Sequence, residues 1–392
     1  MKNKVFGVHK DIFLLGVVSF FTDISSEAIF SVFSIFFTVI LGASVALLGL
    51  IEGLSDFAAS SLDYFAGFIS DRTGKRKIYA IMGYAFSTAA KSILLFATTF
   101  SAAVFRVVER LGKSFRGSPR DAWIGSLAEK KNRGYSFGLH KAMDKAGAVI
   151  GPLIAYFILV ILGQSKETFK FLFIIILIPA VLSVFILLFI KDKPSKPVKR
   201  ESMIVSFKNM NGNFWHYLKA AGIFSLAYFS FGFLMLKAYN VGFAIKDVIL
   251  LYILFNLSFV IFSIPLGKLG DVIGRRKIIS LEYIIYFIMS VGFIFASSKI
   301  HIIILFIFFG IFFAIDEGQS KAYITDLEKK RRGTAIGIYN LITGIIYLPA
   351  SVIAGILWTV NPNYAFAFAS IASLTALIFF VVKGKNVNGK KI

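Results

Sequence analysis

Twelve apolar blocks, each long enough to cross a bilayer, constrain this chain more than any single motif. A hydrocarbon layer ~30 Å thick is spanned by ~20 residues of helix. Such blocks fall at residues 11–40, 44–69, 78–98, 101–126, 134–161, 168–190, 216–237, 245–269, 277–297, 300–325, 333–358 and 363–383. The runs of Ile, Leu, Val and Phe are continuous rather than alternating, which excludes the strands of a membrane barrel. In lipid each backbone N–H and C=O must be satisfied within its own segment, and the helix does this. The expected fold class is therefore all-α, a membrane protein with twelve transmembrane helices. The first block is too long for the apolar core of a signal peptide and carries Asp23 and Glu27, so no cleaved leader is expected.

Charge fits the same picture. Only 16% of the 392 residues are charged, against about 25% in soluble domains. The formal net charge of +22 could mark a nucleic-acid binder, but the cations lie in polar segments between apolar blocks, the pattern of cytoplasmic loops. No nucleic-acid partner is expected. With the N-terminus in the cytoplasm, the basic loops at 72–77, 130–133, 191–208, 268–277, 329–332 and 383–391 all fall inside. The other side keeps few cations, such as Lys166, Lys170 and Lys299. Both termini are then cytoplasmic and the bilayer is the cell membrane. The chain has no cysteine, so disulfides, thiol nucleophiles and thiolate metal sites are excluded.

One long polar connection, residues 191–213, separates an N-terminal six-helix bundle (1–190) from a C-terminal one (214–392). The halves repeat each other. Gly67-Phe-Ile-Ser-Asp71-Arg-Thr-Gly74-Lys-Arg-Lys77 recurs 200 residues later as Gly267-Lys-Leu-Gly-Asp271-Val-Ile-Gly274-Arg-Arg-Lys277. Leu127-Ala-Glu-Lys-Lys-Asn-Arg133-Gly134 recurs as Leu327-Glu-Lys-Lys-Arg-Arg332-Gly333. Duplicated six-helix halves are a plan of transporters that rock two bundles about a central site.

The pattern G-x-x-x-D-x-x-G-[KR]-[KR], present at both equivalent loops, resembles the signature loop of the major facilitator superfamily, and the resemblance covers nearly the whole chain. It implies two pseudo-symmetric bundles alternating between inward- and outward-facing states. It also implies gating roles for Asp71, Arg72, Gly74 and Arg76, and for Asp271, Gly274 and Arg275. Arg106 resembles the membrane-embedded arginine of the family's fourth helix, linked to proton coupling. Gly138, Gly147, Gly151 and Pro152 resemble a fifth-helix motif associated with export by antiport, though its closing Gly-Gly is Ala155-Tyr156 here. The Thr22–Glu27 stretch, with Arg116-Gly117-x-x-Arg120-Asp121-Ala122 and His140-x-Ala142-Met143-Asp144, resembles a poorly characterised prokaryotic branch of that superfamily.

Ionisable groups inside a bilayer cost about 2.5–3.5 kcal/mol each on insertion scales and mark function by default. Asp23 and Glu27 lie one helical turn apart on one face. Two such carboxylates resist simultaneous ionisation, which suits a proton carrier, and they equally suit neutralisation of nearby arginines. Arg106, Arg110, Lys113, Arg116 and Arg120 form a basic stripe down the fourth span. These cations cannot face lipid. They face a watery cavity that draws an anionic solute, or carboxylates in a salt-bridge network. Folding the fourth and fifth spans about residue 129 brings Asp144 and His140 level with the stripe. Lys91 in the third span is expected opposite Asp56.

The repeat aligns Arg116 and Arg120 with Asp316 and Ser320, next to Glu317, and suggests a gate in which Arg116 and Arg120 meet Asp316 and Glu317. No nucleotide-binding loop, zinc-protease motif or serine elbow is present. The expectation is a transporter rather than an enzyme, with no cofactor and no resident metal. It moves a small molecule or ion by alternating access, coupled to protons through Asp23, Glu27 and Arg106, as a monomer, with export by antiport favoured. Arg110, Lys113, Arg116, Arg120, His140 and Asp144 would line the solute cavity. The alternatives are symport of an anionic metabolite, divalent-metal export through Asp23, Glu27, Glu52, Asp56 and His140, and a non-transporting sensor.

Overall fold

In a computed structural model of the chain, the described residues are 4–129, 133–191, 210–328 and 332–383. Most of the 191–213 linker lies outside them. After a two-residue hairpin (β1 Lys4–Val5, β2 Val8–His9) the described chain is helical. The first half comprises α1 (Lys10–Ile35, continued by a π turn to Ile40), α2 (Val45–Thr73), α3 (Arg76–Ile93), α4 (Thr99–Leu127), α5 (Arg133–Leu162) and α6 (Lys166–Phe189). In the second half α7 (Gly212–Ala227) and α8 (Phe231–Asn240) make one interrupted rod. They are followed by α9 (Ile245–Ile273), α10 (Arg275–Phe295) and α11 (Lys299–Ile315). A π turn (Asp316–Ser320) then leads into α12 (Lys321–Leu327), and α13 (Arg332–Val360) and α14 (Pro362–Lys383) complete the half.

Eleven of these rods are long and apolar enough to cross a membrane. The twelfth, α4, has the length but carries the basic stripe. The protein is thus an all-α, multi-pass membrane protein, and the span boundaries follow the apolar blocks closely.

Internal contacts divide the chain into two units: Met1–Ala43 with Ala58–Arg200 and Ile245–Leu250, and Ser44–Phe57 with Glu201–Ala244 and Leu251–Ile392. In unit 1, α1 packs chiefly on α5 and α3 on α4. In unit 2, α14 packs on α10 and α7. Large apolar side chains remain exposed along α6 (Ile174, Ile178, Val181, Phe185) and α9 (Ile261, Ile264). Such faces suit contact with acyl chains and would be costly in water.

Helix ends are built locally. Thr98 and Ser101 form a capping box at α4, and Ser165 caps α6, supplying acceptors to N–H groups that lack a partner in the helix. The duplicated loop turns at a glycine in each half. Gly74 has φ +70° and Gly274 φ +93°, where a Cβ would clash.

Candidate functional site

Buried charge gathers in unit 1, and α4 organises it. The stripe lies on one face because its members recur every three or four residues. The Arg106 guanidinium sits 4.6 Å from the ring centroid of Phe30 and 5.5 Å from that of Phe33, and Arg110 5.7 Å from Phe30. These cation–π contacts tie α4 to α1. Glu109, buried within the stripe, accepts from the hydroxyls of Ser26 and Ser87, both at 3.4 Å. Lys91, Arg110, Lys113 and Arg116 surround it. Lys113 Nζ lies 3.8 Å from Glu27. Arg116 covers the Tyr84 ring at 4.6 Å. Lys91 is buried toward α4, with Glu109 as its acidic neighbour.

Further along the stripe, Arg120 pairs with Asp121 at 3.0 Å and donates from Nη1 to Ser19 Oγ at 3.2 Å. Ser19 Oγ also meets Tyr84 Oη at 3.2 Å and His140 Nε2 at 3.0 Å. One turn along α5 from His140, Asp144 meets Lys141 at 3.3 Å and lies beside the carboxyl of Asp23. Asp144, read from sequence as a cavity residue, and Asp23, read as a proton site, thus belong to one pair. Close approach of α1 and α5 makes that contact possible. A Cβ on Gly147 would meet the carbonyl of Phe20, and one on Gly151 that of Ile24. Gly138 has open space and takes no part in the crossing.

The loop residues behave as fasteners within each unit. Arg76 donates to the carbonyl of Ala122 at 2.5 Å, and Lys77 to those of Leu188 and Ile190 at 2.9 and 2.6 Å. In unit 2, Arg275 reaches Asp271 at 2.8 Å, Asp326 at 3.1 Å and Gln319 at 2.5 Å. Arg276 donates to the carbonyls of Phe380 and Val381, each at 3.0 Å. Arg72 is exposed. The Asp71 side chain lies outside the described residues.

Unit 2 places Asp316 and Glu317 in the π turn, within reach of Lys321. Around Asp316 stand aromatic rings that the sequence reading did not single out. Phe224 stacks on Tyr283 with centroids 4.3 Å apart, Tyr286 meets Phe312 at 4.8 Å, and Tyr228 meets Tyr347 at 5.2 Å. Behind them lies Glu282, 1% exposed, whose Oε2 has no hydrogen-bond partner among the described residues. The rule that flags an acid within an apolar span would have found it. Among the described residues no three His, Asp or Glu side chains come together to hold a metal ion.

The model of the Major Facilitator Superfamily matches residues 15–245 and 220–391. An uncharacterized MFS-type transporter of Methanocaldococcus jannaschii is 36% identical over 385 residues, 95% of each chain. Multidrug resistance protein 2 of Bacillus subtilis is 24% identical over 82% of each. The crystal structure of a D-xylose–proton symporter superposes with a TM-score of 0.76 at 15% identity, over 97% of this chain and 98% of that one.

The chain belongs to the major facilitator superfamily. It is a transporter, not an enzyme, with a small-molecule substrate and the bilayer as its surroundings. That membership sets aside the sensor reading.

Proposed function

We propose that this transporter exports a small solute in exchange for protons, and that the Asp23–Asp144 pair carries the proton. The observation behind this reading is the carboxyl-to-carboxyl contact between α1 and α5. Two carboxyls side by side are joined by a proton. Once it leaves, two like charges repel at close range, and Arg120, Lys141 and Lys113 compete for them. Proton arrival and departure thereby favour two arrangements of α1 against α5. Glu27, held by Lys113, relays the proton, while Arg106 holds α4 on the Phe30 and Phe33 rings.

The basic loops face the cytoplasm of the cell membrane in this reading, and the protein works as a monomer. Asp71, Arg72, Gly74 and Arg76, with Asp271, Gly274 and Arg275, govern the change of access. Asp316 and Glu317 take part in the same change of access. Coupling to protons has a precedent in the D-xylose–proton symporter's name, and export in that of the multidrug resistance protein.

Asp23→Asn and Asp144→Asn, reconstituted in proteoliposomes, test the pair. Each is expected to lower proton-driven counterflow at least a hundredfold while solute exchange without a gradient persists. Undiminished proton-driven flux in both variants overturns the reading. Symport of an organic anion is the second reading. It is favoured by Lys91 Nζ and Arg116 Nη1, which are buried with no hydrogen-bond partner among the described residues. Accumulation of an organic anion along an imposed proton gradient would put symport in place of export.

A further inference from the structure

The geometry points to an organic-cation subsite within unit 2, formed by Glu282 and Asp316 inside the tyrosine cluster. It deepens the export reading by naming the class of solute, and it rests on that reading for the direction of transport.

Glu282 carries the argument. It is 1% exposed, its Oε2 lacks a hydrogen-bond partner among the described residues, and the charged group it faces is a second acid, Asp316. A carboxyl in such a place has lost water without gaining a donor, and that loss is costly. A cation with an apolar body would restore the missing partner.

The surroundings suit that chemistry. Aromatic faces carry negative potential and attract a cation held over them. Tyr217 and Tyr339 stack with centroids 5.8 Å apart, beside the Phe224–Tyr283 stack at 4.3 Å. Tyr228, Tyr339, Tyr347 and Asp316 are only half-buried, whereas Glu282 and Tyr283 are buried. Asp316 opens a π turn, an irregularity frequent at functional sites. Lys321, a cation beside Asp316, is itself exposed, and among the described residues of this unit the charged group set against Glu282 is Asp316. The site is short of positive charge, the reverse of the stripe in unit 1.

Binding to the purified full-length protein in detergent at one fixed pH tests this without any gradient. Tetraphenylphosphonium and tetraphenylborate have the same shape and opposite charge. The phosphonium is expected to bind, and the borate, offered in a separate sample, is expected not to. Ethidium and benzyltrimethylammonium serve as further cations. Glu282→Gln and Asp316→Asn should each weaken phosphonium binding tenfold or more, with thermal midpoints recorded to establish folding. If none of the three cations binds folded wild-type protein, the subsite is overturned. It is equally overturned if borate alone binds as tightly as phosphonium alone, or if both variants bind phosphonium as tightly as wild type. Because no proton gradient is present, these outcomes are separate from the Asp23 and Asp144 flux test. Coupling can fail while the cation still binds, and binding can fail while coupling holds.

Discussion

Glu109 in α4 and Glu282 in α10 are both glutamates with at most 5% exposure, and their surroundings are opposite. Glu109 has two serine donors and a ring of cations. Glu282 has tyrosine rings, an unpartnered oxygen among the described residues, and a second acid. The same helix plan thus encloses an ionic interior in unit 1 and an aromatic one in unit 2.

Two positions account for much of the difference. Gly83 and Gly112 meet where α3 crosses α4. A Cβ on Gly83 would lie 2.7 Å from the backbone N of Arg116, and one on Gly112 2.7 Å from the backbone N of Ser87. The 200-residue repeat puts Tyr283 and Phe312 at those two places. Glycines let two backbones touch, so the long Lys and Arg side chains of α3 and α4 emerge side by side. Rings at the equivalent positions fill the space between helices with stacked aromatic surface. The two halves share a helix plan, while side-chain volume at two crossings differs between them.

The contrast breaks most readily at the two glutamates. Glu109→Gln removes the acid from a cation cluster and is expected to cost about 3–5 kcal/mol, as in other buried ion pairs that lose one partner. Glu282→Gln removes charge from a site with no basic partner among the described residues of its unit, so stability should stay within about 0.5 kcal/mol or rise. Thermal midpoints of the two purified variants read this directly; equal losses would mean the interiors do not differ as described. Gly83→Val should cost about 1–3 kcal/mol through overpacking, measured the same way, and a neutral result would deny the close crossing.

Arg275→Ala breaks three side-chain contacts at once, with Asp271, Asp326 and Gln319. A loss of about 1–2 kcal/mol is expected for charged hydrogen bonds that are partly solvated. The thermal midpoint of the purified variant reads it. The smallest effect belongs to Lys77→Ala and Arg276→Ala. Each removes a cation from the last carbonyls of a sixth helix, worth about 0.3–1 kcal/mol. Matching small drops in midpoint would establish that this device serves both halves alike.

Much of the architecture was legible in the sequence, because a bilayer sets segment length and backbone satisfaction together. The α4 stripe was legible as well, since five cations at helical spacing have no place in lipid. What escaped were contacts fixed by rotation of one helix against another. Spacing gave the depth of Lys91 but not its facing, and α3 turns that lysine to Glu109 on α4. Asp23 and Asp144 were each singled out, yet their contact depends on the α1–α5 crossing at Gly147 and Gly151, which spacing alone does not reveal. The tyrosines of unit 2 were hidden by abundance. In a chain with 45 Phe and 15 Tyr, no ring stands out until the fold gathers a few around a carboxyl.

The composition of α4 also bears on how the chain is made. It is the helix that fails the apolarity standard met by the other eleven. Offered alone to a translocon, such a segment would partition poorly into the membrane. Its side chains find their partners on α1 and α3, through Phe30, Glu27, Ser26 and Ser87, and both helices leave the ribosome first. Co-translational integration of α4 therefore depends on nascent segments already in place, and the order of synthesis supplies the template against which the least greasy span is accepted.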